Sequence, residues 1–221
     1  MNEYFDLNTD YSKYKNILSN IDEYLKESIN FGYGIRILNQ DLWETIISFI
    51  ISANNNIPRI KKIINEISKK YGNKIVFENK EYYTFPDVKV LSKATVEDLR
   101  SLGLGFRDKR VYNTTRMILL NEFDLDELRQ IDDTNVLKEE LLKLDGVGEK
   151  VADCILLFAL KRTDAFPVDV WVRRVMNDLY IHSDNEEKLD KKMLRNIAYE
   201  KFGDIAGIAQ QYLFYWRREI S

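Results

Sequence analysis

The stretch LKEELLKLDGVGEKVADCILLFAL, residues 137–160, decides how this chain is read. An amphipathic helix runs to Leu144, Asp145-Gly146-Val147-Gly148 makes a hairpin, and a second helix opens at Glu149. Gly146 and Gly148 permit backbone conformations closed to other residues and leave no side chain in the way. The amide N–H groups that start the second helix then point outward, where a phosphate oxygen can sit. Leu141, Leu144, Val147, Val151, Ile155 and Phe158 are spaced to lock the two helices together. Gly-x-Gly between helices is by itself only a tight turn. The full Leu-x-Gly-Val-Gly-x-Lys-x-Ala pattern is far more specific, and Gly146, Val147 and Gly148 are expected to grip a nucleic-acid backbone whatever its sequence.

The rest of the composition agrees with a helical protein. The chain has 221 residues, enough for one domain or two small lobes sharing a core, and 45% of them are hydrophobic against 31% charged. Only 9 Gly and 3 Pro leave little punctuation for an all-β fold. One cysteine excludes a disulfide framework, a Cys-rich zinc site and a four-cysteine iron–sulfur cluster, and the lone His182 argues against a histidine metal site. Any acid–base or nucleophilic chemistry therefore falls to carboxylates, lysine, tyrosine, serine, threonine or the single thiol. No apolar run is long enough to span a membrane, and the acidic, polar N-terminus is unlike a signal peptide, so an intracellular protein is expected.

The net charge of -3 hides strong segregation. Residues 59–74 carry six bases (Arg59, Lys61, Lys62, Lys69, Lys70, Lys74) against Glu66, and residues 100–116 carry five (Arg100, Arg107, Lys109, Arg110, Arg116) against Asp108. Residues 122–133 reverse the sign, with six acids against Arg129. Each run taken alone reads as a solvated helix face, but a phosphate backbone responds to local charge rather than to the total.

Periodicity predicts helices over 14–30, 42–52 (capped by Asp41 and apolar almost all round), 59–71 (with Pro58 in its first turn), 92–101, 107–123, 125–131 and 134–143. Residues 73–86 read as a short hairpin or irregular loop, and Leu102-Gly103-Leu104-Gly105 separates two helices.

Five ordered segments, SANNNIPRI, LGLGFRDKRV, GVGEKVADCI, PVDV and IAQQYLF, carry a resemblance that covers nearly the whole chain. The sequence resembles the helix-hairpin-helix (HhH-GPD) DNA glycosylases, and within that superfamily the 8-oxoguanine DNA glycosylase/AP lyases. The resemblance implies an all-α fold of two helical lobes, 41–149 with the opposite-base contacts and hairpin, and 1–40 with 150–221 carrying the catalytic and base-pocket residues. It implies base-excision repair of 8-oxoguanine opposite cytosine by a monomer acting on double-stranded DNA, followed by β-elimination at the abasic site. No cofactor is implied, though the hairpin carbonyls are a place for a monovalent cation.

By resemblance Lys150 is the nucleophile that forms a Schiff base. A lysine attacks only as the neutral amine, which apolar neighbours such as Val151 and Cys154 favour. Asp169, nineteen residues further on behind Pro167, is the family's essential carboxylate, and its position before Val170 also suits an N-cap. Asn54, Arg59 and Arg107 are assigned to the orphaned cytosine, and Phe106 to the wedge that fills the vacated stack, where the family usually carries tyrosine. Gln210 is assigned to the Watson–Crick edge of the flipped purine, Phe214 to stacking on it and Cys154 to the opposite face. Phe158 and Trp171 complete the pocket, at positions where eukaryotic members carry methionine and a phosphate-contacting histidine. The same resemblance has the chain begin where the family's N-terminal β-domain ends, a domain whose backbone carbonyl reads the proton on N7. Two other readings stay open: a glycosylase of this superfamily for another damaged base, such as an alkylated purine, and a helix-hairpin-helix module that binds DNA without chemistry.

Overall fold

Short polar side chains start most of the helices, each accepting a first-turn N–H that the helix itself leaves without a partner. In the computed structural model, which describes residues 1–220, Asp10 starts α1 (Tyr11–Ser19) and Asp22 starts α2 (Glu23–Phe31). The single helix predicted over 14–30 is thus two. Asp22 holds an extended backbone and accepts from Leu25 N at 2.9 Å, which restarts the helix. The chain divides into two compact units, Asp41–Ile155 and Met1–Gln40 with Leu156–Ser221.

The middle unit is built on α3 (Leu42–Ser52), which begins at Asp41 and buries Leu42, Trp43, Ile46, Ile47, Ile50 and Ile51. Removing each such side chain from water contributes roughly 1.5–3 kcal/mol, so this helix is the unit's main apolar anchor. Asn56 caps α4 (Ile57–Tyr71), with Pro58 in the first turn and Ile63 and Ile67 inside. An exposed antiparallel hairpin follows, β1 (Lys74–Phe77) paired with β2 (Lys80–Tyr83) from Lys74↔Tyr83 to Phe77↔Lys80; these are the strands among the described residues. A short helix, α5 (Val88–Leu91), lies ahead of the predicted range, and the helix predicted over 92–101 begins four residues late, as α6 (Val96–Ser101). The reciprocal Thr95–Asp98 capping box fixes the start of the second. A 3-10 turn, Gly105–Arg107, leads into α7 (Asp108–Leu119), which packs against α3, α5 and α6. The predicted helix over 107–123 ends early because Asn121 takes a left-handed conformation just past it. Then come α8 (Leu125–Leu128) and α9 (Thr134–Leu142).

Helix α10 (Glu149–Ala159) runs unbroken through Ile155 and Leu156, where the units divide, and not between 149 and 150 as expected from sequence. The outer unit comprises α1, α2, α11 (Val170–Met176), α12 (Lys191–Phe202) and α13 (Ala206–Ile220), with α13 packed on α2, α11 and α12. Its core holds Leu18, Leu25, Ile29, Leu194, Ile208 and Tyr212. Gly207 lets the 163–165 backbone lie directly on α13: a Cβ there would stand 2.6 Å from the Ala165 carbonyl oxygen. That approach sets the course of the buried Ala165–Val168 segment ahead of Asp169. No helix among the described residues is long and apolar enough to cross a membrane.

Of the residues spaced to lock the two helices of the hairpin, Leu141, Leu144, Val147, Val151 and Ile155 are buried and Phe158 is half-buried. The two helices are also joined by charge. Lys138 Nζ on α9 lies 2.7 Å from Asp153 and 2.9 Å from Glu149 on α10, and Asp153 is buried. Removing the ammonium alone takes a close ion-pair partner from a buried carboxylate, which typically costs several kcal/mol. Lys138→Met should therefore lower unfolding stability by about 3 kcal/mol in urea titration, and Lys138→Met combined with Asp153→Leu should recover most of the loss.

Candidate functional site

The hairpin tip is held from behind and open in front. Asn113 Nδ2 donates to the Asp145 carboxylate at 2.7 Å, and Thr114 Oγ1 donates to the Asp145 carbonyl at 2.9 Å, both from α7. Gly146 has φ +87°, and a Cβ there would meet Arg110 at 2.9 Å and Ile50 at 3.1 Å, so the fold itself demands this glycine. Gly148 is different. It has no positive φ, is exposed, and nothing lies within 4 Å of the place a Cβ would take. Its carbonyl accepts from Ala152 N, leaving the first-turn amides of α10 facing outward.

Lys150 stands in that first turn. It is half-buried rather than enclosed, and its Nζ lies 5.2 Å from the ring centroid of Phe49 on α3. Val151 and Cys154 are buried beside it along α10. The enclosed amine expected from sequence is not what the structure has: a residue in the first turn, next to exposed Gly148 and Glu149, keeps a solvent-facing side.

Asn54, Arg59, Phe106 and Arg107 come together in the middle unit although 44 to 53 positions separate the bonded pairs. The three asparagines do different work. Asn54 takes a left-handed turn (φ +49°) with its side chain exposed, Asn55 donates back to Ile51, and Asn56 caps α4. Arg59 is exposed and donates to the Gly103 carbonyl at 3.0 Å. Phe106, at the tip of the 3-10 turn and 55% exposed, has the Arg107 guanidinium 4.2 Å and the Arg110 guanidinium 5.3 Å from its centroid.

Arg107 departs from expectation. It is only 3% exposed and donates to the carbonyls of Ala53 (2.8 Å), Asn54 (2.6 Å) and Leu104 (3.2 Å). Burial, with the like charges of Arg59 and Arg110, pushes its pKa below the usual guanidinium range. Instead of presenting its fork to a base, it braces the turn that carries Asn54. Arg110 stands out in sequence only as one of the bases in 100–116; in the structure it lies against both Phe106 and Gly146 and so links the 3-10 turn to the hairpin.

In the outer unit Asp169 is half-buried and caps α11, accepting from Val172 N at 2.8 Å. Five residues line a hollow together with Gln210 and Phe214: Phe166, Val172, Val175, Met176 and Leu213. Gln210, 3% exposed, donates through Nε2 to the Pro167 carbonyl, while its Oε1 is buried with no hydrogen-bond partner. Of the other residues expected in a base pocket, Trp171 is 51% exposed and lines an adjoining hollow with Phe214. Phe158 is half-buried on α10, its carbonyl accepting from Gln40 N, and Cys154 is a buried free thiol on the same helix. Among the described residues no group of three or more His, Cys, Asp or Glu is placed to hold a metal.

Residues 47–198 match the family described as HhH-GPD superfamily base excision DNA repair protein. Residues 1–46, the stretch through α1 and α2, match 8-oxoguanine DNA glycosylase, N-terminal domain. The probable N-glycosylase/DNA lyase of Methanothermobacter thermautotrophicus is 36% identical over 95% of this chain and 71% of its own length. The N-glycosylase/DNA lyase of Saccharomyces cerevisiae is 37% identical over 82% of this chain, a match spanning 56% of the yeast protein. The crystal structure of Clostridium acetobutylicum 8-oxoguanine glycosylase/lyase, in complex with double-stranded DNA containing cytosine opposite 8-oxoguanine, superposes with a TM-score of 0.93 at 47% identity. It covers 99% of this chain and 73% of the clostridial one. The hairpin, the caps and the extent of these matches agree: the chain belongs to the HhH-GPD superfamily of base excision DNA repair proteins.

Proposed function

We propose that this chain is a base-excision repair DNA glycosylase with lyase activity, removing 8-oxoguanine opposite cytosine from double-stranded DNA and then cleaving the abasic site. The observation that carries the reading is Gln210. Its Nε2 is tied to Pro167, which fixes the amide's orientation, and its Oε1 is a buried acceptor with nothing to accept, on a residue that lines the hollow. Leaving such an acceptor unmet costs about 1–3 kcal/mol, a cost that a donor-bearing ligand removes. The Watson–Crick edge of a guanine-type purine offers N–H donors at N1 and N2, whereas adenine has a bare acceptor at N1. Phe214 supplies the apolar plane for the ring.

Chemistry follows from groups the chain holds. The neutral Lys150 amine adds to C1′ of the extruded nucleotide, and the electron pair of the C1′–N9 bond leaves with the purine, which takes up a proton. Ring opening gives the Lys150 iminium, and loss of a C2′ proton then expels the 3′ phosphate. Asp169, anchored at the start of α11, stabilises the positive charge that grows on the sugar. The exposed Gly148 and the first-turn amides of α10 hold the backbone, while Asn54 and Arg59, braced by Arg107, meet the orphaned cytosine, and Phe106 fills the gap. Such a substrate puts the protein's work inside the cell.

Borohydride trapping on duplexes with 8-oxoguanine opposite each normal base tests this. A covalent adduct should form with the parent chain and vanish in Lys150→Gln; strand excision without any adduct would make the enzyme monofunctional. Arg59→Ala should flatten the preference for cytosine, and unchanged selectivity would remove Arg59 from that role. Gln210→Ala should reduce kcat/KM on 8-oxoguanine by about 10- to 100-fold, the loss of one buried charge-neutral hydrogen bond. The two hairpin glycines should separate. Gly146→Ala should lower stability by roughly 1–3 kcal/mol, whereas Gly148→Ala should leave the melting temperature unchanged and weaken DNA binding.

A further inference from the structure

Among the described residues Lys150 Nζ makes no hydrogen bond and no ion pair, and the group it meets is the ring of Phe49 on α3, 5.2 Å away at the centroid. The acids nearest it in sequence are engaged elsewhere: Glu149 and Asp153 with Lys138, and Asp145 with Asn113. The first turn of α10 gives no help, because the amide end of a helix repels a cation. Phe49 and Lys150 are both half-buried and both belong to the middle unit, so neither is sealed from an incoming ligand.

The ring is a fixed surface. Helix α3 buries Trp43, Ile46, Ile47, Ile50 and Ile51, and Phe49 has a further interaction of its own besides the amine. Ile50, the next residue, packs at Gly146, and the Ala53 carbonyl just past the helix accepts from Arg107. One buried helix thus touches the Lys150 side chain, the hairpin tip and the turn that carries Asn54. A lysine's long stem spreads its nitrogen over many rotamers, few of which present it to a sugar carbon. A carboxylate would gather the head but favour its charged, unreactive form. An aromatic face gathers it more gently, through the ring quadrupole while the nitrogen is cationic and through apolar contact once the proton has gone.

We propose that Phe49 is a positioning residue for the Lys150 nucleophile. Its ring face sets where the amine stands when a nucleotide arrives, and it stays against the nitrogen when that nitrogen is cationic again in the iminium. The proposal rests on the reading of Lys150 as the nucleophile and adds no step to that chemistry.

Two measurements on the full chain test it. In the protein without DNA, the Lys150 ε-methylene proton signal, identified by its loss in Lys150→Gln, should stand upfield of the other lysines through the ring current of Phe49. It should move back among them in Phe49→Leu and stay displaced in Phe49→Tyr. With enzyme in excess over an 8-oxoguanine:cytosine duplex, Phe49→Leu should slow single-turnover base release about 3- to 10-fold, as far as such a contact reaches, and leave the duplex Kd unchanged. Phe49→Tyr should keep most of the rate. Leucine keeps the site apolar and fills much of it, so packing alone gives little loss with leucine and no special rescue by tyrosine. Three results overturn the positioning role and leave the glycosylase reading intact. They are a parent Lys150 signal lying among those of the other lysines, a Phe49→Leu rate within about twofold of the parent, and a loss confined to duplex affinity. Absence of a borohydride adduct with the parent chain overturns the nucleophile reading and the proposal together.

Discussion

One half-buried ammonium holds the functional end of the middle unit in register. Lys138 reaches from α9 to two carboxylates on α10, Glu149 and Asp153, which lie four apart on one helix face. Apolar contacts alone tolerate a slip of one helix along the other, because leucine and valine pack against many partners. An ion pair with a buried member does not, since any other register leaves a charge in the core. The register decides where α10 begins, and its beginning carries Gly148, the outward amides and Lys150. The bridge from Asn113 and Thr114 to Asp145, and the fit of Gly146 against Arg110 and Ile50, fix the same turn from the α7 side.

The acidic total charge and a DNA-handling role are reconciled by where the arginines stand. Arg59, Arg107 and Arg110 gather around Phe106, and the cost of crowding them is visible in the depressed pKa of buried Arg107. That cost is met by three backbone carbonyls, which turn the guanidinium into a scaffold for the left-handed Asn54 turn. Six acids are gathered instead in 122–133, around α8, so the total charge says little about the local charge that a phosphate meets.

What the sequence disclosed were features whose physics is local. The hairpin, the buried α3 behind Asp41, Pro58 in the first turn of α4, and the exposed Phe106 between Gly105 and Arg107 depend on neighbours within a turn or two. Two local signals are masked by periodicity: Asp22 restarts a helix inside 14–30, and the Thr95–Asp98 box delays the start of α6 inside 92–101. The remainder was hidden because it depends on partners far along the chain. Nothing near Arg107 announces that Ala53 and Asn54 will claim its donors, and nothing near Lys138 announces Asp153. Lys150 sits against Phe49, about a hundred positions earlier, and is left half-buried although its apolar neighbours favour enclosure.

Folding and function leave different marks on the same residue types, and this chain shows both. Gly146 is a glycine because the chain itself crowds it and bends it; any substitution is resisted before a ligand arrives. Gly148 meets no such demand, so its bareness has to be explained by something outside the chain that comes close. The glutamine at 210 makes the same point with hydrogen bonds. Most buried polar atoms are satisfied, and evolution replaces those that are not at little cost unless the vacancy is used. Leucine would fill the space of Gln210 beside Phe166 and Leu213 without stranding an oxygen. On the proposed reading, an acceptor kept unmet in an apolar wall, with its partner nitrogen tied down, is one half of a hydrogen bond whose other half arrives with the substrate.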